Sequence, residues 1–231
     1  MPKNVKITTI PGPLDLLAPH SCRGCGKLGN VFCDCCKNNI TKAYLNICPS
    51  CKSNNPTGDC PNCNDLPPTY VIGERTEPLS TLIQVFKYHS VRAAKKPLAE
   101  LLNSILPNYQ NKVIIVPLPT TSKHIRSRGL DHTLLVAKQL SKYRGNSYLV
   151  QRILLRHKDT VQVGTDKKTR LSQAEDAYII NPRISLDPKA TYLLLDDIWT
   201  TGATMHAAIK KLREFGANKI NLALLAFSNI D

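Results

Sequence analysis

From residue 70 onward the chain alternates between two hydrophobic rhythms. Residues 70–72, Val113-Ile-Ile-Val116, 148–150, Tyr192-Leu-Leu-Leu195 and 220–227 are short, nearly continuous apolar runs. Runs of that length, apolar on both faces, read as strands buried in a parallel sheet. Between them the apolar positions fall at helical spacing. Leu79, Leu82, Ile83 and Phe86 mark a helix from 77 to about 87, and Leu98, Leu101, Leu102 and Ile105 mark one over 93–106. Further helices are expected near 130–142 and from about 204 to 215, the last stopped by Gly216. Strands alternating with helices predict an α/β fold, a parallel sheet flanked by helices. Residues 156–176 are polar and charge-rich, and read as a mobile loop.

The rhythm is absent before residue 67. Asp65-Leu-Pro-Pro-Thr69 reads as a linker, because Pro67 and Pro68 cannot continue regular structure. The expected organisation is an N-terminal leader over 1–19, a cysteine-rich module over 20–66 and the larger domain over 67–231. At 231 residues the chain accommodates one ordinary domain plus such a module.

All nine cysteines lie between Cys22 and Cys63. Eight form Cys-x-x-Cys pairs: Cys22/Cys25, Cys33/Cys36, Cys48/Cys51 and Cys60/Cys63. Two intervening residues let both sulfurs turn toward one tetrahedral metal, so four pairs supply two four-cysteine sites, a double zinc ribbon. The expected pairing is sequential, with the first two pairs on one Zn2+ and the last two on the other. Interleaved pairing, and Cys35 in place of Cys33 or Cys36, are the alternatives. The segment offers few large apolar residues (Val31, Phe32, Ile40, Leu45, Ile47), so metal must supply much of its folding energy, on the order of 10 kcal/mol per site. Sites closed by four thiolates are structural rather than catalytic.

Charge adds a further constraint. Lys and Arg outnumber Asp and Glu by 31 to 17, a formal +14. That balance favours polyanionic partners such as nucleic acid or phosphorylated ligands. No run approaches the length of a transmembrane helix and the N-terminus carries no apolar signal core, so no membrane insertion, a cytoplasmic location and reduced thiols are expected.

Candidate chemistry concentrates in Tyr192-Leu-Leu-Leu-Asp196-Asp197-Ile-Trp-Thr200-Thr201-Gly202-Ala203-Thr204. Two carboxylates end a buried strand, where open α/β sheets bind ligands. The Thr/Gly loop offers hydroxyls and backbone N–H groups at a helix N-terminus, which suits phosphate. Carboxylates for sugar hydroxyls or Mg2+, beside a loop for a phosphate monoester, describe a phosphorylated ribose. A plain buried strand leading to a capped helix, with Thr201 or Thr204 as N-cap, is the alternative. A second cluster follows Pro117-Leu-Pro119 on the same expected rim: Lys123, His124, Arg126, Ser127, Arg128 and Gly129. Arg there could neutralise a pyrophosphate, since its planar fork binds phosphate oxygens in pairs.

The 192–204 segment resembles the 5-phosphoribosyl-1-pyrophosphate (PRPP) motif of type I phosphoribosyltransferases. The resemblance implies that Asp196 and Asp197 contact the ribose hydroxyls and that Thr200, Thr201, Gly202, Ala203 and Thr204 wrap the 5′-phosphate. Over roughly residues 20–228 the order of motifs resembles the ComF family, competence protein F. These are the Cys-x-x-Cys head, Phe86-Lys87-Tyr88, Val116-Pro-Leu-Pro119, Arg126-Ser-Arg128-Gly129, the polar loop and the acidic motif. That resemblance implies a type I phosphoribosyltransferase-like domain behind a zinc-ribbon head. It also implies a cytoplasmic role in natural transformation, handling imported single-stranded DNA beside the uptake machinery. Where the family usually reads Arg-Gly-Phe-Asn-Gln, this chain has Arg128-Gly129-Leu130-Asp131-His132, which alters expected substrate contacts but not the phosphate loop.

Two readings follow. In one the protein is a phosphoribosyltransferase of unassigned acceptor, with nucleotide salvage as an alternative role. Mg2+ with Arg126, Arg128 and Lys123 would stabilise the departing pyrophosphate, and Asp196 and Asp197 would hold the ribose directly or through water and Mg2+. The loop around 156–170 would close over the site. His132 is the one candidate base, against its being a surface helix residue. In the other the pocket is a non-catalytic grip on a positive surface that holds single-stranded DNA. Its candidate cations are Lys87, Arg92, Lys95, Lys96, Arg126, Arg128, Arg152, Arg156, Lys158, Lys167, Lys168 and Arg170, and Tyr88, Tyr143 and Tyr148 are its stacking options.

Overall fold

The computed structural model describes residues 20–44, 47–53, 58–63, 66–88, 91–121, 125–126, 129–156 and 177–228. Five parallel strands form its central sheet: β3 (Thr69–Val71), β4 (Val113–Pro117), β5 (Tyr148–Val150), β8 (Thr191–Trp199) and β9 (Lys219–Phe227). Their order is β3-β9-β8-β4-β5, with β8 at the centre. A central position explains why Thr191–Leu195 is buried without alternation, since helices or loops cover both faces.

Successive side chains still point to opposite faces, which divides the core in two. On one face Val113, Ile115, Leu193, Leu195, Ala223 and Leu225 pack with α2 (Leu79–Tyr88), α3 (Lys95–Ile105) and α4 (His132–Arg144). On the other, Ile114, Val116, Tyr192, Leu194, Leu222 and Leu224 pack with α5 (Ala203–Glu214) and a two-stranded antiparallel ladder, β6 (Leu154–Arg156) with β7 (Tyr178–Ile180). The helical periodicities of the sequence therefore name real faces: Leu79, Leu82, Ile83 and Phe86 of α2 are all buried. α4 starts at His132 rather than 130, because Asp131 caps it by accepting the Leu134 N–H at 3.2 Å. At the end of α5 the Gly216 N–H bonds Arg213 O and the Ala217 N–H bonds Leu212 O, with Gly216 at φ 101°, which closes the helix as expected.

The cysteine-bearing residues lie against both faces. β1 (His20–Ser21) pairs with β2 (Leu28–Gly29), and α1 spans Asp34–Tyr44. Cys22, Val31, Phe32, Cys36 and Ile40 join the core beside α2 and α3, whereas Cys48, Cys60 and Leu66 join the core beside α5. Lys37 of α1 bridges Asp34 at 2.8 Å and Glu100 of α3 at 2.6 Å, and Glu100 also accepts the Tyr143 hydroxyl of α4 at 3.2 Å.

Candidate functional site

The site grows out of the alternation of β8. Asp196 follows Leu194 on the face carrying β6, β7 and α5, while Asp197 follows Leu195 on the face carrying α2. Two adjacent carboxylates thus leave β8 toward opposite faces near the carboxyl edge of the sheet. The strand itself runs past them to Trp199, paired with β9 through Trp199↔Phe227, so they sit in the last part of the strand and not after it.

Each carboxylate has one oxygen held by the protein. The Asp197 N–H donates to Asp196 Oδ1 at 2.8 Å. Lys87 Nζ, from the last turn of α2, reaches Asp197 Oδ2 at 2.6 Å. The lysine side chain is 10% exposed against 26% for the aspartate. Its ammonium sits at a helix C-terminus, where the dipole favours a cation. Burial pushes the Asp196 carboxyl up to about 7, helped by the Asp197 charge and opposed by the Asp197 N–H and the Lys87 and Arg156 charges. Tyr178 is fully buried beside Asp196, and the Arg156 guanidinium lies 6.0 Å from its ring centroid.

The loop is fixed from below by Trp199, which is buried and meets the His206 ring edge-on at 5.7 Å. Gly202 takes φ 76° and ψ −7° as the N-cap of α5. A Cβ there would overlap the Trp199 indole, so the chain needs glycine for both conformation and space. Thr201 Oγ1 accepts the Ala203 N–H at 3.3 Å, and Thr200, Thr201 and Thr204 are exposed. The first turn of α5 carries no acidic side chain of its own to offset the positive end of the helix. The 117–121 segment shares this rim, with the Leu118 N–H bonded to Leu195 O at 2.9 Å. Arg126 is exposed just beyond that segment; Lys123, His124, Ser127, Arg128 and the loop residues 157–176 lie outside the described residues.

Three expectations change. Lys87 is not a surface cation; it is buried against Asp197. His132 is neither a surface residue nor an open base; it is 3% exposed and packs edge-on against Phe86 at 4.8 Å. Of the stacking candidates, Tyr148 is buried and Tyr143 is half-buried, which leaves Tyr88 as the exposed one. Sequence reasoning does not find the role of Lys87, although a signal exists: it lies four residues after Ile83, a cation on the apolar stripe of α2.

The cysteines assemble sequentially. Cys22, Cys25, Cys33 and Cys36 form one group and Cys48, Cys51, Cys60 and Cys63 the other, with the sulfurs of each group all within 4.8 Å. Cys22–Cys36 is 3.7 Å and Cys25–Cys33 3.6 Å; Cys48–Cys63 is 4.0 Å and Cys51–Cys60 3.4 Å. Tetrahedral zinc with Zn–S near 2.3 Å requires an S···S edge of about 3.8 Å, so both donor sets fit Zn2+. Cys35 is exposed and outside both groups. The first sulfur of the first group also accepts N–H bonds from Gly24 and Cys33, as a bound thiolate would. Next to Cys51 of the second group, Lys52 Nζ lies 4.0 Å from the ring centroid of Phe227, the strand partner of Trp199. Among the described residues no helix is long and apolar enough to cross a membrane.

No family model matches the chain. It is similar to competence protein F of Haemophilus influenzae, with 29% identity over 224 residues covering 93% of each protein. The resemblance drawn from the order of motifs therefore extends over nearly the whole chain. Among solved structures it is similar to a hypoxanthine phosphoribosyltransferase of Staphylococcus aureus, with 14% identity, a TM-score of 0.37 and coverage of 62% of this chain and 74% of that one.

Proposed function

We propose that this relative of competence protein F binds PRPP–Mg2+ at the carboxyl edge of β8 and acts in the uptake of DNA. The observation that carries the reading is the continuous sequence of two adjacent carboxylates, a buried tryptophan and a glycine-capped helix N-terminus. Thr200, Thr201, Gly202, Ala203 and Thr204 hold the 5′-phosphate, with backbone N–H groups and the helix dipole opposing its charge. Asp196 and Asp197 accept the ribose hydroxyls. The magnesium carried on the pyrophosphate supplies charge neutralisation as that group leaves C1. Arg126, exposed and five residues beyond the 117–121 segment, contributes with Arg128 the cations of the leaving-group side. The eight paired cysteines hold two structural Zn2+. The acceptor is a nucleobase, an amine or a nucleic-acid end, and it brings its own nucleophile to C1. Calorimetric titration with PRPP and Mg2+ tests the reading: micromolar binding in the wild type, lost in Asp197→Ala. A wild type that does not bind refutes it.

A second reading, single-stranded DNA held by the positive surface, is favoured by the formal +14 and by exposed Arg92, Lys96, Arg126, Arg152 and Arg156. It is compatible with the first. Its mark is affinity that falls steeply with salt and weakens on Arg126→Glu without loss of folding.

A further inference from the structure

The carboxylates are not equally anchored. Asp196 is oriented by a backbone N–H of the strand itself, a donor that no side-chain substitution removes. Asp197 is oriented by one side chain from another element, Lys87 of α2. Among the described residues one oxygen of each carboxylate is engaged, Oδ1 of Asp196 and Oδ2 of Asp197, and both residues are only partly buried. A vicinal diol bound at the end of β8 meets one acceptor per hydroxyl, whereas a 2-deoxy sugar has a hydroxyl for only one of them.

We propose that Lys87 is a positioning residue that makes this site select a ribose 5-phosphate over its 2-deoxy counterpart, by fixing Asp197 as the second diol acceptor. The proposal rests on the phosphoribosyl reading above and adds a specificity determinant to it. Geometry supports it in three ways. The 2.6 Å contact is a charge-assisted hydrogen bond, roughly twice as strong as a neutral one. The lysine is held in turn, since its stem lies in the buried face of α2 next to Phe86. Asp197 is the more exposed member of the pair, so without the ammonium its carboxylate is free to rotate and to be solvated.

The test compares dissociation constants of the full zinc-loaded chain for ribose 5-phosphate and 2-deoxyribose 5-phosphate by calorimetry. In the wild type the ribose form binds more tightly by about tenfold or more, the scale of one hydrogen bond to a charged group. Lys87→Met preserves the length and apolar contacts of the stem. It is expected to lose about tenfold for ribose 5-phosphate, with the deoxy form changed less than about twofold, so that the preference collapses toward unity. Asp197→Asn, which leaves Lys87 in place, should erase the same preference, and the double variant should be no worse than either single one. If Lys87→Met fails to fold, as judged by zinc content and circular dichroism, the Asp197→Asn arm decides: retention of the preference overturns the proposal. A folded Lys87→Met that keeps the wild-type ratio shows a structural ion pair only and overturns it. Tighter ribose binding in that variant also overturns it, because Lys87 would then be a competitor for Asp197. A wild type that binds both sugars equally removes the specificity claim and leaves the phosphate grip standing; one that binds neither sinks the phosphoribosyl reading itself.

Discussion

Substituting Gly202 by alanine tests whether the phosphate loop is built as described. Two costs arise from the structure. Alanine at φ 76° sits in the left-handed region, which costs about 1–2 kcal/mol for a residue with a Cβ. The new methyl also overlaps the indole of Trp199, with Cη2 at 2.8 Å and Cε2 at 2.9 Å, and Trp199 is only 4% exposed, so it cannot move without disturbing His206 and Phe227. Overpacking of this kind typically costs about 1–3 kcal/mol. The stiffer unfolded chain of the alanine variant returns about 0.4–1 kcal/mol. The net expectation is a destabilisation of about 1–4.6 kcal/mol, at about 2–4 °C in Tm per kcal/mol for a chain of this size. Trp199 is the single tryptophan, so thermal unfolding followed by its fluorescence reads the perturbed residue directly. A folded Gly202→Ala variant should emit at longer wavelength before unfolding begins. A Tm within about 1 °C of wild type with unchanged emission would refute the packing and the left-handed cap together.

Three further outcomes are expected. Asp196→Asn should stabilise the ligand-free protein more at high pH than at low pH. A carboxyl raised to about 7 favours the folded state fully below the ordinary carboxylate range, and that contribution is lost as pH rises through the folded value. The advantage of the variant over wild type in urea unfolding should grow by about 2 kcal/mol between about pH 5.5 and about pH 8, and a flat difference would deny the burial. Cys22→Ser and Cys48→Ser should each halve the zinc content measured by mass spectrometry, because the two groups are sequential; loss of both metals from either variant would indicate a shared site. Tm should fall in both, since Cys22 and Cys48 belong to the packed cores on opposite faces of the sheet.

The legibility of the chain divides by the range of the interactions involved. Strands β4, β8 and β9 and helices α2, α3 and α5 are readable because burial on both faces writes continuous apolar runs, and burial of one helix face writes a 3.6-residue period. The place of Asp196-Asp197 late in β8 and the grouping of the cysteine pairs are readable because both are set by local spacing. What is not readable depends on distant partners. The β6–β7 ladder joins residues more than twenty positions apart, and each strand is three residues long. α1 opens with a mostly polar sequence, Asp-Cys-Cys-Lys-Asn-Asn, with Cys36 and Ile40 packing inward, so no ordinary stripe marks it. A lysine usually belongs in solvent, and only the fold brings Asp197, 110 positions later, to the Lys87 ammonium. His132 shows the converse: a histidine opening a capped helix suggests solvent, but it faces Phe86 of a helix from earlier in the chain.

The central claim is that a phosphoribosyl ligand occupies the edge of β8 and the start of α5. Hydrogen exchange of the zinc-loaded protein with and without PRPP–Mg2+, followed peptide by peptide, tests that placement directly. Slowed exchange confined to residues 196–206 and to the 117–126 segment is the predicted result. Binding that protects other regions and leaves 196–206 unchanged, or no protection anywhere at saturating ligand, would contradict it.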